Sequence, residues 1–160
     1  MQFTLNEIQK EIKENSTKLL KDNIDLLETI QKVDDNCRLD ENIWKLVIEQ
    51  GWLALDVPES DGGLGFSNTD TAILSEVLGY YMPIIPLFSS GVVFKNLVLL
   101  SDENIKNTIL PEIISGEKIG TYCVYENDKY LINRDEISTM LTNDETVSYT
   151  HLRAHETVRN

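Results

Sequence analysis

The stretch GWLALDVPESDGGLGFS, residues 51–67, decides how the rest of this chain can fold. Helical patterns flank it on both sides, yet it cannot be helical itself. Pro58 lacks a backbone donor and biases Asp56 and Val57 toward extended conformations. Gly62, Gly63 and Gly65 supply positive-φ or close-approach positions that other residues resist. Its first half is apolar (Trp52, Leu53, Leu55, Val57), which predicts burial rather than a surface loop. The glycines follow no strand, so they lack the strand–loop–helix setting of a phosphate cradle and read as a structural turn. The free amides of the helix that starts near Ser67 are the alternative, a weak anion site.

Upstream of this connection, Asp40 is a good N-cap for a short helix whose buried face is Ile43, Trp44, Val47 and Ile48. Gly51 sits where a left-handed C-cap belongs. Farther upstream, Thr4-Leu5-Asn6-Glu7 reads as a capping box. Leu5, Ile8, Ile12, Leu19, Leu20, Ile24, Leu27 and Ile30 then recur at steps of three and four. That period predicts one long amphipathic helix to about Lys32, ended by Asp34-Asp35-Asn36.

Downstream, Ser67-Asn68-Thr69-Asp70 starts a third helix with Ala72, Ile73, Val77, Tyr80 and Tyr81 inward, ending near Met82-Pro83. Residues 84–100 predict a fourth helix, apolar nearly all round and so covered on several sides. Ser101-Asp102-Glu103 caps a fifth, with Ile105, Ile109, Ile113 and Ile114 inward and Gly116 at its end. Pro111 should kink or detach its last turn. From Glu117 the period becomes two, which reads as a strand, followed by a turn at Asn127-Asp128 and a second strand from Lys129 to Asn133. The expected fold is mainly α: a bundle of about five helices over residues 4–116 and an incomplete β segment over residues 117–146.

The 160 residues carry 14 basic and 27 acidic side chains, a net charge of −13, which argues against nucleic acid or an anionic membrane as the main partner. The N-terminus has no signal or transit pattern, and the apolar run of residues 83–100 is broken by prolines and by Lys95-Asn96, so no membrane span and a cytoplasmic location are expected. Cys37 and Cys123 are far apart and read as packing residues. The last fourteen residues, VSYTHLRAHETVRN, hold both histidines and two of the four arginines. This tail, residues 147–160, resembles translated sequencing-adapter read-through and is read as foreign to the fold. His151 and His155 are spaced i, i+4 but have no third ligand, so no metal site is expected. A P-loop, a serine elbow and a histidine triad are all absent from the sequence.

Taken in order, Trp44, Glu49-Gln50-Gly51-Trp52, Val57-Pro58-Glu59, Gly62-Gly63-Leu64-Gly65, Asp70 and Glu76-Val77-Leu78-Gly79 resemble the N-terminal helical domain of acyl-CoA dehydrogenases. Leu110-Pro111-Glu112-Ile113-Ile114-Ser115-Gly116-Glu117 resembles the passage out of that domain. Tyr122-Cys123-Val124-Tyr125-Glu126 resembles the first strand of the family's middle β domain. The agreement spans about residues 4–126.

The resemblance implies a flavoprotein with an α N-terminal domain, a β middle domain and a C-terminal four-helix bundle. FAD lies between the last two. A carboxylate removes the α-proton of an acyl-CoA thioester while hydride leaves the β-carbon for the flavin. That base lies in the C-terminal bundle, so no catalytic residue is assigned here and the chain by itself is expected to be inactive. Tyr122 and Val124 are the candidate cofactor contacts. Phe88, Ser89, Val92 and Val93, on the helix that lines the family's acyl tunnel, are the candidate substrate-lining residues. The resemblance also implies an acyl-CoA substrate, an electron-transfer partner, and a homo-oligomer or paired subunit. The sequence departs from the family after Glu126, where Asn127-Asp128-Lys129-Tyr130 stands in place of a Gly-Ser-Asp loop. That departure carries an alternative reading, a non-catalytic acyl-CoA dehydrogenase-like subunit acting as a binding or assembly partner.

Overall fold

A computed structural model describes residues 4–122 and the strand residues 125–126 and 129–130. Its helices are α1 (Glu7–Asn23), α2 (Leu26–Asp34), α3 (Glu41–Glu49), α4 (Asn68–Tyr81), α5 (Lys95–Leu99) and α6 (Glu103–Ile114). A π-helical stretch, Leu87–Phe94, runs directly into α5. The chain divides into two units at Tyr122, and the helical elements all belong to the first.

The N-terminal cap is Asn6 rather than Thr4. Its side chain accepts from the Gln9 amide at 2.8 Å, and the Gln9 side chain accepts from the Asn6 amide at 3.1 Å. The single helix expected to reach Lys32 is two helices. Ile24 is extended (φ −119°, ψ 120°), and Asp25 caps α2 by accepting from the amides of Leu27 and Glu28 at 2.8 and 3.0 Å. An aspartate's short carboxylate serves the open amides of a helix start better than a helix interior. The apolar period running across the break conceals it.

The break turns α2 outward, and none of its residues is buried. A nine-residue helix without a buried face needs other anchors. Lys32 supplies one, donating to Asp40 Oδ2 at 2.7 Å while also reaching Glu28 at 2.8 Å. Asp40 simultaneously caps α3 through the amides of Asn42 and Ile43. Burial pushes the Asp40 carboxyl up, but Lys32 and the two amides outweigh it and hold it below its ordinary value.

The cap of α4 is the expected box. Asp70 Oδ2 accepts from the Ser67 amide at 2.8 Å and the Ser67 hydroxyl at 2.6 Å. Its other oxygen accepts from Gln9 Nε2 at 3.0 Å, which ties the start of α1 to the start of α4.

The connection quoted at the outset is buried as expected and joins two apolar clusters. Leu53 and Leu55 enter the larger one with Trp44, Val47, Leu74 and Leu87, while Val57 enters the other with Val98 and Leu110. The loop closes on itself: Leu64 donates to the Ala54 carbonyl, Phe66 to Leu55 and Gly65 to Val57, at 2.8–2.9 Å. Gly62 and Gly65 have φ of +84° and +70°. Gly63 is needed for space instead, since a Cβ there would lie 2.2 Å from the Val57 carbonyl oxygen.

The expected fourth helix begins only at Leu87 and is not covered all round. Leu87, Ser90, Gly91, Lys95 and Val98 are buried, whereas Phe88 and Leu100 are 70% and 86% exposed. Helix α6 runs through Pro111 to Ile114 as one element, and Gly116 follows at φ +72°. Residues 117–122 are not a strand, contrary to the alternation. The Gly120 amide instead donates to the buried Ser90 hydroxyl at 3.0 Å, which leaves this segment bonded to the helical unit rather than free to pair as a strand.

Within the second unit, β1 (Tyr125–Glu126) pairs antiparallel with β2 (Lys129–Tyr130), Glu126 opposite Lys129. The remaining calls for residues 117–146, and the whole tail, fall outside the described residues.

Candidate functional site

Two clefts meet along one side of α4. The first, about 240 Å³, is lined by Ser75, Leu78, Gly79 and Met82 of α4 and its cap, and by Pro83, Ile85, Leu87, Phe88 and Val92 across from them. The second, about 270 Å³, is lined by Asp56, Asn68, Thr71, Ala72, Ser75, Val92 and Asn96. Ser75 and Val92 belong to both, so the clefts adjoin. The helical period explains the alignment. Thr71, Ser75 and Leu78 succeed one another up one face of α4, and Phe88, Val92 and Asn96 stand four apart on the opposite wall. One end of the groove is therefore apolar and the other polar. A broader depression on the opposite flank of α4, between Lys13, Glu76, Tyr80 and Tyr81, is spanned by the exposed Lys13–Glu76 ion pair at 2.9 Å.

The polar end holds a buried charge pair. Lys95 Nζ donates to Asp56 Oδ1, with the two side chains 1% and 4% exposed. Asp56 comes from the apolar half of the glycine-rich connection and Lys95 from the first turn of α5, thirty-nine positions apart. Thr71 lines the same cleft as Asp56, and its buried hydroxyl has no hydrogen-bond partner, the one such side-chain oxygen or nitrogen among the described residues.

Of the residues predicted to line a substrate, Phe88 and Val92 stand on the groove wall. Ser89 and Val93 do not line it, and the Ser89 hydroxyl donates to the Pro86 carbonyl at 3.2 Å. Tyr122 opens the second unit and is 56% exposed, while Val124 lies outside the described residues. Asp56, Lys95 and Thr71 escaped the sequence reading. The available signal was a lysine in the apolar run of residues 84–100 and an aspartate in the apolar half of the connection, two charges that burial obliges to pair.

Cys37 is a free, half-buried thiol directed at the Leu39 carbonyl, 3.3 Å away. Among the described residues no cluster of three His, Cys, Asp or Glu could hold a metal ion, and no helix is long and apolar enough to cross a membrane.

Residues 6–117 match the family model for the acyl-CoA dehydrogenase N-terminal domain, and the chain belongs to the acyl-CoA dehydrogenase family. Acyl-CoA dehydrogenase IpdE2 of Mycolicibacterium smegmatis is 37% identical over 106 residues, which cover 66% of this chain and 32% of that protein. The mitochondrial very long-chain specific acyl-CoA dehydrogenase of Bos taurus is 33% identical over 92 residues, 56% of this chain and 14% of that one. In three dimensions the chain is similar to the ChsE4-ChsE5 complex from Mycobacterium tuberculosis, with a TM-score of 0.67 and 24% identity over 76% of this chain and 34% of that one. The chain spans about a third or less of the length of these relatives.

Proposed function

We propose that this chain is the N-terminal part of a flavin-dependent acyl-CoA dehydrogenase that oxidises the α,β-bond of an acyl-CoA thioester, and that its α4 groove forms one wall of the acyl site. The observation that carries this reading is the apolar cleft bounded by Leu78, Leu87, Phe88 and Val92 on a domain of this family. Phe88 supports it further, because a phenylalanine 70% exposed beside a cleft is suited to contact with a ligand or another domain. In the whole protein FAD supplies the hydride acceptor. Tyr122 is the candidate flavin contact among the described residues, and its side chain is 56% exposed and so open to one. The helical unit accordingly contributes burial and shape around the acyl chain, and the proton-abstracting carboxylate comes from elsewhere. Phe88 and Val92 carry the acyl wall in this reading, Ser89 and Val93 stand next to them in the chain but outside the groove, and Tyr122 and Val124 approach the flavin. Residues 4–116 form the helical domain and residues 117–146 begin the middle β domain. The protein works in the cytoplasm as a homo-oligomer or paired subunit and passes electrons to a separate carrier protein.

A second reading has one specific support. Asn127-Asp128-Lys129-Tyr130 follows Glu126, with no Gly-Ser-Asp. The alternative is therefore a non-catalytic subunit that binds or assembles with an active one. The test is made on the protein encoded by the complete locus. A flavin absorption band together with acyl-CoA-dependent reduction of a dye supports the enzyme. A flavin-free, inactive protein that restores activity to a second subunit supports the partner role, and the 160-residue chain alone is expected to form no enoyl-CoA.

A further inference from the structure

Two residues at the end of α4 stand where local chemistry disfavours them, and both line the same apolar cleft. Gly79 lies in the last turn of the helix, where glycine costs stability relative to alanine because its backbone has more freedom to lose. Nothing in the fold asks for glycine at that position. Its φ is not positive, and a Cβ built on it would meet nothing within 4 Å. Met82 is the reverse case. It caps α4 in the left-handed region, with φ 47° and ψ 51°, one of two non-glycine residues at positive φ among the described residues. A Cβ crowds the backbone there, the following Pro83 adds to the crowding, and glycine is the usual residue at such a helix end. Alanine at the first position and glycine at the second would therefore suit the helix better.

Breaches of local preference that a fold keeps are expected where function requires them. What these two have in common is the cleft bounded by Leu78, Leu87, Phe88 and Val92. A side chain at the Gly79 position would stand in that space, and glycine leaves it open. Met82 is 58% exposed and brings an unbranched thioether to the same cleft, a side chain that adapts to varied apolar shapes. We propose that Gly79 and Met82 determine the specificity of the acyl site, Gly79 keeping room for a long acyl chain and Met82 covering that chain. The inference rests on the reading of the cleft as an acyl wall and adds a substrate class to it, thioesters of long chains rather than short ones. In that reading the proton-abstracting carboxylate comes from elsewhere, so the cleft meets a part of the chain remote from the thioester. Short chains end before it. The helix gives up stability at two positions, and the cleft gains depth and an adaptable edge.

Thermal unfolding of the 160-residue chain tests the stability side. Gly79→Ala and Met82→Gly should each raise Tm by about 2–4 °C. Kinetics of the protein encoded by the complete locus test the use, with dye reduction followed on butanoyl-CoA, octanoyl-CoA and hexadecanoyl-CoA. For the longest chain that the unsubstituted protein oxidises, Gly79→Leu should lower kcat/KM at least about tenfold, through KM, while the value for the shortest stays within about twofold. Met82→Gly should raise KM for the longest chain about fivefold at unchanged kcat, and Met82→Leu, which keeps an apolar side chain there, should hold KM near the parent value. A fall in Tm for Gly79→Ala or Met82→Gly would mean that the fold itself requires the residue and would overturn the inference. Equal losses for long and short chains, or no loss for the longest, would overturn it too while leaving the enzyme reading standing. Oxidation of none of the three thioesters by the unsubstituted protein would overturn both.

Discussion

Replacing Lys95 with methionine removes one half of the buried pair and leaves the Asp56 carboxylate, 4% exposed, without its counter-charge. Breaking such a pair from one side costs about 3–5 kcal/mol, because the remaining charge keeps its desolvation penalty and loses the attraction that offset it. Against a total stability of about 5–15 kcal/mol for a domain, that is a large fraction. Unfolding entropy near 2 cal/mol/K per residue, applied to a helical unit that ends at Thr121, converts 4 kcal/mol into a fall in Tm of about 16 °C. Thermal and urea unfolding followed by circular dichroism measures it. The decisive comparison is the double variant Asp56→Leu with Lys95→Met, which removes both charges and leaves apolar groups of similar volume. It should recover most of the loss, with a coupling energy of at least about 2 kcal/mol in the double-mutant cycle. A Lys95→Met variant within about 1 kcal/mol of the parent, or a double variant whose loss equals the sum of the single ones, would refute the reasoning.

Other expectations follow from particular contacts. Gly63→Ala should cost about 3 kcal/mol in urea unfolding, because its Cβ meets the Val57 backbone at 2.2 Å, whereas Gly91→Ala should cost about 1 kcal/mol, since it meets only the ends of Leu53 and Leu87 at 2.8 and 2.9 Å. Burial pushes the Asp70 carboxyl up, but the Ser67 hydroxyl and amide and the Gln9 side chain outweigh that and hold it below its ordinary value. Its folded value therefore lies below the unfolded one, so its contribution is complete above about pH 4 and disappears as pH falls through the folded value. Asp70→Asn should cost about 1 kcal/mol at pH 7 and flatten the stability–pH curve below pH 4 in acid titrations followed by circular dichroism. Leu27→Gln, at a side chain 77% exposed on α2, should leave Tm of the 160-residue chain within about 2 °C, and a larger fall would mean that α2 is packed after all.

Much of the helical unit was legible because its signals are local. The Ser67–Asp70 cap, the Asp40 cap, the left-handed Gly51 and the buried first half of the connection each depend on residues within a few positions of one another. The family likeness was legible for a related reason: the connection needs Pro58, Gly63 and an apolar Val57 at fixed spacing for one backbone path. Local signals also misled. The three-to-four period of Leu20, Ile24, Leu27 and Ile30 continued across a helix break, because periodicity counts apolar positions and does not register that Asp25 caps better than it propagates. The alternation after Glu117 read as a strand, while a hydrogen bond to Ser90, thirty positions away, holds the Gly120 amide.

The groove was half legible. Phe88 and Val92 followed from family likeness, but which neighbours share their wall depended on the π-helical stretch and on the angle at which α4 meets it. The pairing of Asp56 with Lys95 and the isolation of the Thr71 hydroxyl are relations between distant segments. By itself the sequence determined the caps of α3, α4 and α6, the glycine-rich connection and membership of the acyl-CoA dehydrogenase family, all of which rest on near-neighbour chemistry. Only the tertiary structure decided that two charges thirty-nine positions apart meet in the interior and that the Thr71 hydroxyl is buried without a partner. Burial and partnership belong to packed surfaces, and no single segment carries them.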